Sequence, residues 1–138
     1  MTADPEAPLP RIAVLADDLI WATRLADGVR RAGGEPVPAR STADFDLALQ
    51  GAAGCIVDLT ARAYDGLAAL RVAEGAGVPA VAVGQHDDAD LRRAAREAGA
   101  TRVYAYRVLF AHGDRELDAW IAGLRTGLRA GAEEEEAR

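Results

Sequence analysis

Lysine is absent from this chain. All 16 basic residues are arginine, so no site in it can use an ammonium side chain. Cysteine occurs once, as Cys55 inside an apolar run, which excludes an internal disulfide framework and marks the thiol as a core residue. Aromatics make up only 5% of the residues, so the core must be built from Ala, Val and Leu. No stretch of 18 or more residues is apolar and no signal peptide opens the chain. A membrane is therefore not an expected partner, and the cytoplasm is the expected compartment. A glycine-rich phosphate loop is missing, as is any Ser/His or Cys/His pairing near the predicted strand ends, so an enzyme is not expected. Positive charge is not clustered either. Of the net charge of −6, residues 131–138 carry −3 and residues 1–10 carry −2, which leaves −1 for the 120 residues between them. A near-neutral body without a basic face argues against nucleic acid as a partner.

What is present is an alternation. The 138 residues suit one domain, and half of them are AVILMFWYC, enough for a continuous core. Residues 1–10 hold three prolines and no periodic pattern and read as a flexible arm. Residues 131–138, with four consecutive Glu, read as an acidic disordered tail. Between them, residues 11–130, the runs 11–16, 36–39, 55–59, 78–84 and 102–106 read as strands. Segments 19–33, 41–51, 65–77, 87–100 and 114–131 carry helical spacing, caps or glycine stops. Strands that are apolar throughout imply burial on both faces. The pattern predicts a single doubly wound, five-stranded parallel sheet with helices on both sides, a flavodoxin-like α/β fold. The prolines of 36–39 suit only an edge strand.

In such sheets a site forms beyond the carboxyl ends of the strands, where strand order reverses. Asp17 and Asp18 follow the first strand and Asp58 closes the third. With the order 2-1-3-4-5, strands one and three are neighbours and the carboxylates share a pocket. Close like charges repel unless a cation neutralises them. Asp17, Asp18 and Asp58 are therefore candidate ligands for Mg²⁺, weakly held.

Residues 11–128 resemble the response-regulator receiver domains. In that family an acidic pair after the first strand binds Mg²⁺, and an aspartate ending the third strand accepts a phosphoryl group from a histidine kinase. A Ser or Thr ending the fourth strand and a Lys ending the fifth hold the phosphoryl oxygens. Asp58 matches the phosphoacceptor, Asp17 and Asp18 the acidic pair, and Gly66 in "YDG" the Asp-Gly that opens the third helix. The segment "REAGATRVYAY" resembles the turn before the fifth strand. The departures fall on one half of the site. Gly84 stands at the Ser/Thr position, Tyr106 at the lysine position, Arg107 at the proline that follows it, and Val103 at the aromatic of the fifth strand. The resemblance thus implies an atypical, stand-alone receiver-like module with a phosphoacceptor-like Asp58. It would signal through contact with a protein partner, a kinase or a downstream regulator, with little or no dependence on phosphorylation. A homodimer through the 87–128 face, with Arg92, Arg96, Arg102 and Glu116, is also implied.

Two alternatives stay open. One is a conventional phosphoacceptor on Asp58, with Arg107 in place of the lysine. The other is a flavodoxin-like domain that binds a small molecule. Plainer roles also exist for the same residues. Asp18 suits the N-cap of the first helix, Asp58 a loop cap, and His86, Asp87 and Asp88 a helix start rather than a metal site. His112 suits a solvated loop. Of Tyr104 and Tyr106, one suits the core and the other the rim of the pocket.

Overall fold

The computed structural model describes residues 9–85, 88–111 and 113–136, with side chains to residue 127. His86, Asp87, His112, most of the expected arm and the side chains of the expected tail lie outside the described residues. Five strands form one sheet: β1 (Arg11–Leu15), β2 (Glu35–Ala39), β3 (Gly54–Asp58), β4 (Ala80–Gly84) and β5 (Ala100–Ala105). Every pair is parallel and the order is β2-β1-β3-β4-β5, as expected from the sequence. Pro36 and Pro38 lie on β2, an edge strand, where missing N–H donors cost least.

The helices are α1 (Leu19–Arg31), α2 (Thr42–Leu49), α3 (Gly66–Gly75), α4 (Ala89–Glu97), α5 (Tyr106–Leu109) and α6 (Arg115–Glu136). Strand periodicity sorts the core into two layers. Ala13 and Leu15 face one cluster with Phe45, Leu49, Leu70 and Ala95. Ile12 and Val14 face the other, with Leu25, Val29, Leu117, Trp120 and Ile121. So α2, α3 and α4 cover one face of the sheet, and α1, α5 and α6 cover the other. Each fully buried Leu or Ile contributes roughly 1.5–3 kcal/mol. Gly54 opens β3 because Trp120 and Leu124 pack against it: a Cβ there would come within 2.9 Å and 2.8 Å of those side chains.

Most boundaries lie within a few residues of the sequence reading, and two of the differences have consequences. β5 stops at Ala105 and Tyr106 begins the one-turn helix α5, closed by the Phe110 N–H donating to the Tyr106 carbonyl at 3.1 Å. The tyrosine leaves the strand because its ring finds a partner on α1. The last helix continues to Glu136, beyond residue 131, since Ala and Glu are strong helix formers. No helix among the described residues is long and apolar enough to cross a membrane.

Candidate functional site

The parallel sheet delivers four chain segments to one edge. Leu15 pairs with Val57, Asp58 with Val83, and Gly84 with Ala105, so Ala16–Asp18, Asp58, Gly84 and Tyr106 all lie at the carboxyl ends of adjacent strands. That is the edge at which the reversal of strand order between β1 and β3 opens a crevice.

Asp58 is the single buried charged residue among the described side chains, with no exposed surface. Its Oδ1 accepts from the Thr60 N–H at 2.8 Å and from the Thr60 hydroxyl at 2.6 Å. Its Oδ2 is buried and has no hydrogen-bond partner. The Tyr106 hydroxyl, also buried, lacks one too. The Tyr106 hydroxyl lies near enough to the Asp58 carboxylate for the two to interact. Burial first, then the Asp58 charge and the pull of its carboxylate on the hydroxyl proton, push the Tyr106 pKa above the ordinary tyrosine range. The approach nevertheless falls short of full hydrogen-bond geometry. A buried acceptor left in that state costs about 1–3 kcal/mol. The Tyr106 ring is held from the other side, stacked on Trp21 at a centroid separation of 3.8 Å and an angle of 18°.

The acidic pair is divided between two tasks. Asp18 is the N-cap of α1, accepting from the Ile20 and Trp21 N–H groups at 2.9 and 3.1 Å. Asp17 reaches across to the loop after β3, where its Oδ2 accepts from the N–H groups of Arg62 and Ala63 at 3.0 and 3.1 Å. The same loop is fixed by Tyr64. Its hydroxyl donates to the Asp58 carbonyl oxygen at 2.7 Å and lies 3.0 Å from that of Leu15, stitching β3 to β1. Burial, then the charges of Asp58 and Asp17, raise the Tyr64 pKa above its usual range. Asp65 caps α3 through the Leu67 and Ala68 N–H groups. Gly66 then lies so close to Leu59 that a Cβ would approach its Cδ2 to 2.9 Å.

Asp17, Asp18, Thr60, Arg62 and Gln85 line an open hollow of about 370 Å³, and Asp58 is not part of its wall. Among the described residues, no three His, Cys, Asp or Glu side chains are placed to share a metal ion. The three carboxylates therefore do not share a Mg²⁺ site as they stand, because Oδ1 of Asp18 and Oδ2 of Asp17 are committed to backbone N–H groups and Asp58 is buried away from the hollow. Arg107 is exposed and, among the described residues, makes no ion pair with Asp58. Gly84 offers no side-chain donor, and Val103 is packed against the core. Of the two tyrosines on this edge, Tyr106 both enters the core and lies near Asp58. Tyr104 instead donates to Glu116 at 3.2 Å. Thr60 and Tyr64 were not singled out by the sequence. The Asp-x-Thr spacing at 58–60, which favours local side-chain hydrogen bonds, was the available signal for Thr60.

No protein-family model matches the chain, and no curated protein matches it. Solved structures do. The chain superimposes on the BeF₃-activated DrrB receiver domain with a TM-score of 0.72 and 17% identity, over 86% of this chain and 98% of that one. A response-regulator receiver domain from Clostridium thermocellum gives a TM-score of 0.72 and 20% identity over 87% and 98%. A Burkholderia pseudomallei response regulator with a phosphorylated aspartic acid, calcium ion and citrate gives 0.69 and 18% over 91% and 74%. At these identities the likeness establishes the fold, that of the receiver domains.

Proposed function

We propose that this chain is a receiver-like signalling module that acts through protein–protein contact, with little or no dependence on phosphorylation of Asp58. One observation carries the reading: the carboxylate that would accept a phosphoryl group has no exposed surface, and the buried Tyr106 lies beside it. Phosphoryl transfer depends on positioned cations and donors around the moving group. Here Gly84 supplies neither, and Tyr106 brings no cation, at the two positions where the family grips phosphate. A phosphorylated Asp58 would lack the differential contacts that move one conformation toward another, and a modification without them shifts no equilibrium.

The partner is a protein, a kinase or a downstream regulator, met in the cytoplasm, and the chain has no catalytic activity of its own. Neither nucleic acid nor membrane is a partner. The 87–128 face is the candidate surface for a homodimer: Arg96 and Arg102 are exposed on it, a mixed-charge surface suited to reversible, salt-sensitive contact. Mg²⁺ is at most a weak ligand, since it must pull Asp17 away from the Arg62 and Ala63 amides.

The test is a comparison of partner affinity. A partner recovered by pull-down should bind wild type and Asp58→Asn within about twofold, with or without phosphodonor. A change of about tenfold, or 1.4 kcal/mol, that requires both phosphodonor and Asp58 would overturn the proposal.

A further inference from the structure

A second groove lies next to this site and shares Gln85 and Tyr106 with it. Trp21, Arg24, Gln85, Tyr106, Arg107 and Phe110 line a space of about 370 Å³, within the range of small-molecule sites. Three of the seven aromatic residues in an aromatic-poor chain gather here. Trp21 and Tyr106 stack at 3.8 Å, and Phe110 lies within 5° of parallel to Tyr106 at 6.4 Å. Trp21 and Phe110 are only partly buried, so ring surface remains open to the groove. The Arg24 guanidinium lies 5.2 Å from the Trp21 ring and 5.8 Å from that of Phe110. Arg24 and Arg107 are both exposed, and among the described residues neither forms an ion pair. Among the described residues no carboxylate lines the groove, although the chain as a whole has six more acids than bases. The buried Tyr106 hydroxyl has no partner.

We propose that this groove binds a small aromatic anion. The ligand's planar ring lies against Trp21 and Phe110, where offset stacking is favourable. Its carboxylate, or an equivalent anionic group, meets Arg24 and Arg107, whose planar forks pair with carboxylates in two-point fashion. Gln85 supplies a polar contact at the rim. Tyr106 lines this groove and lies near Asp58, so occupancy of the groove would reach Asp58 through that residue. The site goes beyond the signalling reading and does not require that Asp58 be silent.

Naphthalene-2-carboxylate and its uncharged analogue naphthalene-2-carboxamide are suitable probes, titrated into the full chain and followed by amide chemical shifts. The acid should saturate with a Kd of about 1 mM or tighter, with the shifts centred on Trp21, Arg24, Gln85, Arg107 and Phe110. The amide should bind at least about tenfold more weakly, and Arg24→Gln and Arg107→Gln should each weaken the acid by about tenfold. Both arginines are exposed, so the variants should keep the wild-type circular dichroism spectrum. Weaker binding of the acid, equal affinity for acid and amide, shifts centred on Asp17 and Thr60, or folded arginine variants that bind like wild type would each overturn the proposal. Failure here leaves the comparison of wild type and Asp58→Asn for a protein partner unaffected, so the two readings fail separately.

Discussion

Replacing Asp58 by Asn should stabilise the protein. Asp58 is fully buried and spends one oxygen on Thr60, while Oδ2 has no partner and the unpartnered Tyr106 hydroxyl lies near the carboxylate. The asparagine keeps a carbonyl oxygen for both Thr60 donors. In place of Oδ2 it offers an NH₂ group that can donate to the Tyr106 hydroxyl. An unsatisfied buried acceptor costs about 1–3 kcal/mol, more when charged, and the substitution removes that cost without changing the side-chain volume. The expected gain is about 1–2 kcal/mol, which at the usual urea dependence for a small domain raises the denaturation midpoint by roughly 0.5–1 M. In a thermal scan the same gain is worth roughly 3–8 °C. The measurement is urea unfolding of both proteins at neutral pH in Mg²⁺-free buffer. A midpoint lowered by 0.5 M or so, with an unchanged slope, would refute the reasoning, because it would mean that Oδ2 has a favourable partner in solution.

Other substitutions probe the same architecture. Tyr106→Phe removes an unpartnered hydroxyl and should leave stability unchanged or slightly raised, whereas Tyr106→Ala removes the ring stacked on Trp21 and should cost about 3–5 kcal/mol by chemical denaturation. Asp17→Ala leaves the Arg62 and Ala63 amides without their acceptor and should speed hydrogen exchange at those two positions, with little change at β4. Gly54→Ala drives a methyl against Trp120 and Leu124 and should cost about 1–3 kcal/mol. Burial pushes the Cys55 thiol up to about 12, so it should resist alkylation at pH 8 until the chain unfolds. The folded pKa is raised. The associated stability is therefore intact below the thiol's ordinary value of 9.0 and is lost as pH climbs toward about 12, at about 1.4 kcal/mol per pH unit. Tyr64 and Tyr106 act in the same direction, so Cys55→Ala should remove only part of the alkaline slope.

The fold was legible because its strands advertise themselves. β3 and β4 are buried at every position, and an uninterrupted apolar run bounded by glycine or an acid has few other readings. The prolines of β2 gave its edge position, and the Asp65–Gly66 pair gave the start of α3. The site was legible only in part. Asp58, Asp17 and Tyr106 were identified by position along the chain, and parallel pairing does bring their segments to one edge. Their partners were not legible. Asp17 is satisfied by amides 45 and 46 residues away, and Tyr106 leaves the strand to stack on a tryptophan of the first helix. No local pattern encodes such contacts, because they depend on how two layers of helices register across the sheet. The same long-range stacking displaced the end of β5 and produced α5.

The central claim is that Asp58 is fully buried beside Tyr106 and does not accept phosphate at a useful rate. Losing two groups that stabilise the transferring phosphoryl should slow the reaction by orders of magnitude, at tenfold per about 1.4 kcal/mol. The direct measurement is intact mass after incubation with acetyl phosphate and Mg²⁺, with Asp58→Asn as the control. The account predicts no phosphoryl adduct beyond the level of that control over an hour. Rapid, stoichiometric labelling of wild type that disappears in Asp58→Asn would contradict it.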